Sequence, residues 1–78
     1  MKFAGKVYTS NKEVLLGNIC ANSFVALKRR ASTLCNGYYS AVDTMVLHRV
    51  NDEEVNSLTF TRINRKSPDN RIIRGQWK

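Results

Sequence analysis

Phe3 and Val7 lean to one side of residues 2–9, KFAGKVYT, around Gly5, and the turn formers Ser10-Asn11-Lys12 follow. Most of these residues are extended formers, so a first strand is predicted here. Residues 13–21, EVLLGNICA, put Leu15, Ile19 and Ala21 on one parity and Val14, Leu16 and Cys20 on the other. A helix would have to carry Gly17 in its interior, a loss of about 1 kcal/mol. A second strand, closing a hairpin with the first, fits better.

The period changes at the next segment. In SFVALKRRASTLC, residues 23–35, Phe24, Leu27, Ala31, Leu34 and Cys35 fall on one arc at about 100° per residue, the spacing of an amphipathic helix. Asn22 or Ser23 supplies an N-cap oxygen for an orphan backbone N–H, and Asn36-Gly37 tolerates the left-handed conformation common past a helix end. On this wheel Arg29 points away from the apolar arc, and Lys28 and Arg30 flank it on opposite sides, with their stems along the core edge and their charges outward.

Alternation returns over residues 41–50, AVDTMVLHRV, with Val42, Thr44, Val46, His48 and Val50 set against Asp43, Met45, Leu47 and Arg49. The acidic turn NDEE closes this third strand. Residues 55–63, with Leu58 and Phe60 on one parity, form a fourth, and the turn SPDN leads into a last strand, RIIRGQW. The order β-β-α-β-β-β predicts an α+β fold, a single antiparallel sheet of about five strands with one helix across one face. With 78 residues the whole chain, 1–78, is one domain. Net stability is expected on the order of 4–12 kcal/mol.

Charge changes the picture more than composition does. Thirteen Lys and Arg against six Asp and Glu give a formal charge of +7, which favours anionic partners: nucleic acid, acidic protein surfaces or anionic lipid. No apolar run is long enough to span a bilayer or to serve as a signal peptide, so a cytoplasmic, reducing setting is expected, one that disfavours a disulfide between Cys20 and Cys35. These two cysteines read as small hydrophobes.

Catalytic chemistry finds no foothold in the residue pattern. Cys20, Cys35 and His48 are the strong soft ligands, and none are paired at metal-site spacing. There is one histidine, no nucleophile elbow and no phosphate-cradling Gly-rich loop. Asp52, Glu53 and Glu54 sit in a hydrophilic turn where solvation explains them. No enzyme, metal or cofactor is expected.

The basic residues are more informative. From Ser57 onward Arg62, Arg65, Lys66, Arg71, Arg74 and Lys78 are opposed only by Asp69, and they carry most of the net charge. Solvated surface is the ordinary explanation for any one of them. As a set dominated by arginine they match bidentate binding of phosphates and carboxylates. Tyr38, Tyr39 and Trp77 lie beside these groups and either stack on a partner or pack at the core edge. The candidate contacts are therefore Lys28, Arg29, Arg30, Arg62, Arg65, Lys66, Arg71, Arg74, Tyr38, Tyr39 and Trp77. Whether helix and tail share one face is the open question. No aromatic motif of an RNA-recognition fold and no double-stranded RNA-binding order is present.

The run Lys28-Arg29-x-Ala31-Ser32 after an N-terminal hairpin, with Trp77 near the end of a late strand, resembles small phage-encoded inhibitors of host defence, in particular one family of type I-F anti-CRISPR proteins. The similarity covers about a dozen residues, and the basic tail after Asn64 departs from the pattern. It implies a non-catalytic protein of the host-cell cytoplasm that binds a CRISPR effector on surfaces meant for target DNA, with Lys28, Arg29 and Arg30 as contacts. The leading expectation is thus a phage or mobile-element inhibitor of a host nucleic-acid-handling complex. The alternative is a regulator that binds DNA or RNA directly. A third class, an assembly protein, would form a homodimer sealed through a strand edge.

Overall fold

A computed structural model describes all residues, 1–78. Its elements are β1 (Phe3–Thr9), β2 (Val14–Ala21), α1 (Phe24–Cys35), β3 (Val42–Val50), β4 (Glu53–Lys66) and β5 (Ile72–Arg74). They form one five-stranded sheet in the order β2-β1-β3-β4-β5, with every neighbouring pair antiparallel. The α+β architecture read from the sequence is the one observed. No helix is long and apolar enough to cross a membrane.

α1 lies on the face of the sheet that β1 presents through Phe3, Val7 and Thr9. Leu27, Ala31 and Cys35 of the helix are buried there against Ile19, Ala21, Met45 and Leu47. Phe24 bridges this core to both sides, its ring 6.0 Å from Phe3 and 5.0 Å from Phe60. Of the two N-cap candidates, Ser23 serves: its Oγ accepts from the Ala26 N–H at 3.1 Å. Gly37, at φ +85°, makes the left-handed exit.

Several boundaries differ from the sequence reading, each for a local reason. A bulge in β2 opposite Val7 and Tyr8 places Gly17 against Val7 and Leu15 against Tyr8. The extra residue reverses the parity, so Leu15 is exposed instead of joining Ile19, and Leu16 packs on the core. Gly17 sits under Leu34. The NDEE turn is only Asn51-Asp52, both at positive φ as in a two-residue hairpin turn. Glu53 and Glu54 begin β4 opposite Val50 and Arg49.

β4 also runs past residue 63 to Lys66. At about 3.3 Å per residue its fourteen residues span roughly 45 Å, matching the longest dimension of the molecule, 43 Å. The last strand is correspondingly short. β5 pairs with Asn64–Lys66 and stops before Gly75, where a Cβ would run into the Ile63 carbonyl. Beyond this point Lys78 rejoins β4, exchanging backbone hydrogen bonds with Thr61 at 2.9 and 3.1 Å. The segment Gly75–Lys78 is thereby laid alongside α1.

Candidate binding surface

The strand register decides which basic residues are free. Asp43, Met45 and Leu47 share the helix-facing parity of β3, and Arg62 stands directly across from Asp43 on β4. Asp43 is 1% exposed and Arg62 4%. Arg62 Nε donates to Asp43 Oδ2 at 2.8 Å, and its Nη1 donates to Ser32 Oγ on the helix at 2.8 Å. Asn64 Nδ2 adds 2.8 Å and Arg74 Nη1 3.3 Å to the same carboxylate oxygen. The Thr9 and Ser40 hydroxyls lie 3.1 and 3.3 Å from Oδ1. Arg62 Nη2 is buried without a partner.

This network ties β1, β3, β4, β5 and α1 together. Burial alone pushes the Asp43 carboxyl upward. Hydrogen bonds from Arg62 and Asn64, the Arg62 charge and Thr9 more than offset it, leaving Asp43 below the usual carboxylate value. With the folded-state value the lower one, the stability Asp43 contributes is fully present above the unfolded value near ~3.9. It is lost as pH falls through the folded value. The melting temperature is therefore expected to stay level from pH 7 to about 5 and to drop below about pH 4. Asp43→Asn should flatten that drop, and calorimetry across the range checks it.

Arg62 and Arg74 are thus turned inward, contrary to their reading as contacts. Arg74 Nη2 also donates to the Cys35 and Tyr38 carbonyls, both at 3.0 Å, satisfying acceptors at the end of α1. Arg71 is exposed and paired with Asp69 at 3.2 Å. Arg65 pairs with Ile73 on the sheet face away from the helix. Lys66 holds its Nζ 4.9 Å from the centre of the Tyr39 ring, with Tyr38 exposed nearby. Of these groups, Arg74 sits at the C-terminal end of α1 and Lys66 beside Tyr39 just beyond it.

The helix cations have a different setting. Lys28, Arg29 and Arg30 make no ion pair, and α1 contains no acid. Lys28 keeps its Nζ 5.2 Å from the Phe24 ring centre. An open groove of about 560 Å³ separates α1 from the C-terminal segment. Val25, Lys28, Arg29, Ser32 and Thr33 line one side, and Arg62, Gly75, Gln76 and Trp77 the other. Trp77 rests on the Arg62 guanidinium at 4.7 Å, with its Nε1 3.5 Å from Ser32 Oγ. On the far side of the helix a second groove, about 330 Å³, is lined by Arg29 and Arg30 together with Ile19, Cys20 and Leu34.

The free basic residues of the tail do not join the helix cations on one face; the C-terminal segment reaches them through Trp77 and through Gln76, which the sequence reading missed. Trp77, Lys28 and Arg29 converge, and Ser32 and Gln76 complete the groove. The legible signal was Asp43 on the parity of Met45 and Leu47, an acid where only a buried partner could accompany it. Elsewhere, both cysteines are free, Cys20 half-buried and Cys35 buried. Burial, aided by the Asp43 charge and partly countered by Arg62 and Arg74, pushes the Cys35 thiol up. No group of three or more His, Cys, Asp and Glu side chains is placed to hold a metal. No protein-family model, curated protein or solved structure matches the chain.

Proposed function

We propose that this chain is a non-catalytic inhibitor, of the kind phages and mobile elements encode. It lays α1 and its C-terminal segment against a phosphate-rich or acidic surface of a host nucleic-acid-handling complex. The observation that carries the reading is the segregation of charge. Lys28, Arg29 and Arg30 stand unpaired on one helix. The exposed acids lie at hairpin turns and strand ends: Glu13 between β1 and β2, Asp52 between β3 and β4 with Glu53 and Glu54 at the start of β4, and Asp69 between β4 and β5. A surface with one sign of charge steers a partner of the opposite sign and repels others.

The resemblance of Lys28-Arg29-x-Ala31-Ser32 to the anti-CRISPR segment supports an effector complex as the target. A buried Cys35 thiol and an isolated, exposed His48 support a role in binding without chemistry. Capture from a lysate of the host cell, with and without nuclease, tests this. Retention of one defined protein complex after digestion is expected. Nucleic acid retained alone and lost on digestion would make the chain a direct DNA or RNA binder instead.

A further inference from the structure

Of the three grooves on the surface, the one between α1 and the C-terminal segment alone combines unpaired cations with an aromatic wall. Its volume, about 560 Å³, lies within the ~300–1,000 Å³ of small-ligand sites. Lys28, Arg29 and Arg62 line it, and no acidic side chain does. Arg62 is buried and tied to Asp43, a carboxylate it shares with Arg74, so the cations open to a ligand are Lys28 and Arg29.

Trp77 is held before any ligand arrives. Its ring lies on a guanidinium that is itself fixed by Asp43 and Ser32, and the following residue, Lys78, is tied to Thr61 in both directions. A half-buried indole fixed in this way loses little freedom when something stacks on it. The Gln76 side-chain amide beside it offers both a donor and an acceptor.

We infer that this groove takes one nucleotide unit of a single-stranded nucleic acid, with its phosphate against Lys28 and Arg29 and its base on Trp77. The inference rests on the reading above and names what the chain grips in such a complex: an exposed strand. Unpaired bases present faces to an aromatic ring, and paired bases in a duplex do not. The groove on the other side of the helix has Arg29 and Arg30 but no aromatic residue, and so lacks the second half of the arrangement.

Trp77 is the only tryptophan in the chain, so its emission reports the site directly. Titration of the full-length protein with a single-stranded oligothymidylate should quench that emission saturably at low salt. The affinity should fall with added salt at a logarithmic slope of roughly −0.7 for each phosphate neutralised. Lys28→Glu and Arg29→Glu, both outside the core, should each weaken binding roughly tenfold or more. With a labelled oligonucleotide read by anisotropy, Trp77→Phe should weaken it roughly fivefold or more. The same length of duplex, and inorganic phosphate alone, should leave the emission nearly unchanged.

Emission unmoved by the single strand, equal quenching by duplex, or full binding by Lys28→Glu and Arg29→Glu would each overturn the inference. Capture of a protein complex after nuclease, together with no quenching, would overturn it while leaving the inhibitor reading standing. Quenching without capture would do the reverse.

Discussion

Replacing Asp43 by alanine should lower the melting temperature by more than about 10 °C. The carboxylate is the one acid inside the molecule, and five side chains point donors at it. Four of them keep other partners when it is removed. Asn64 still reaches the Ser40 carbonyl, Arg74 the Cys35 and Tyr38 carbonyls, and the Thr9 and Ser40 hydroxyls one another.

Arg62 has no such reserve. It is 4% exposed, its Nη2 is already unpartnered, and only the Ser32 hydroxyl would remain to it. Leaving one member of a buried ion pair without the other loses about 3–5 kcal/mol, against a total of roughly 4–12 kcal/mol for a chain of this length. Each kcal/mol shifts the midpoint of so small a domain by about 4–8 °C. Asp43→Asn, which preserves an accepting oxygen, should lose less. A midpoint within a few degrees of wild type for Asp43→Ala would show that Arg62 finds water or another acceptor once freed.

The same residues show how much of this protein its sequence discloses. Strand and helix periods are plain wherever one face is buried: Phe3 and Val7, the arc of Leu27, Ala31 and Cys35, and Met45 with Leu47 all lie where their spacing puts them. Register is harder, because a single inserted residue reverses parity. The bulge before Gly17 sends Leu15 to solvent, and nothing in EVLLGNICA says which residue is the extra one.

The division of the basic residues was hidden for a different reason. Leu58, Phe60, Arg62 and Asn64 share one parity, and so do Asp43, Met45 and Leu47. Each strand therefore carries polar residues on its apolar side. Only the pairing of β3 with β4 sets Asp43 opposite Arg62 and turns two odd residues into one ion pair. Net charge counts an inward arginine and an outward one alike. The convergence of Trp77 on Lys28 and Arg29 depends on Gly75 passing close to the Ile63 carbonyl and on Lys78 pairing with Thr61, tertiary contacts with no periodic signature.

Arg62 and Arg74 on this account hold the fold, and Lys28, Arg29 and Arg30 meet the partner. Arg29 and Arg30 are exposed and unpaired. Reversing their charge removes no folded-state hydrogen bond their side chains make, and surface substitutions of this kind usually change stability by about 0.5 kcal/mol or less. In a complex each new glutamate faces the acids or phosphates that the arginine had met. The loss of attraction and the added repulsion together amount to several kcal/mol, or about a hundredfold in affinity or more.

The most direct test is therefore to compare Arg29→Glu/Arg30→Glu with wild type in melting and in capture of the host complex from nuclease-treated lysate. The double variant should melt within a few degrees of wild type and retain about a hundredth of the complex or less. Full retention by a folded double variant would contradict the account, because the helix cations would then be no more than a solvated face.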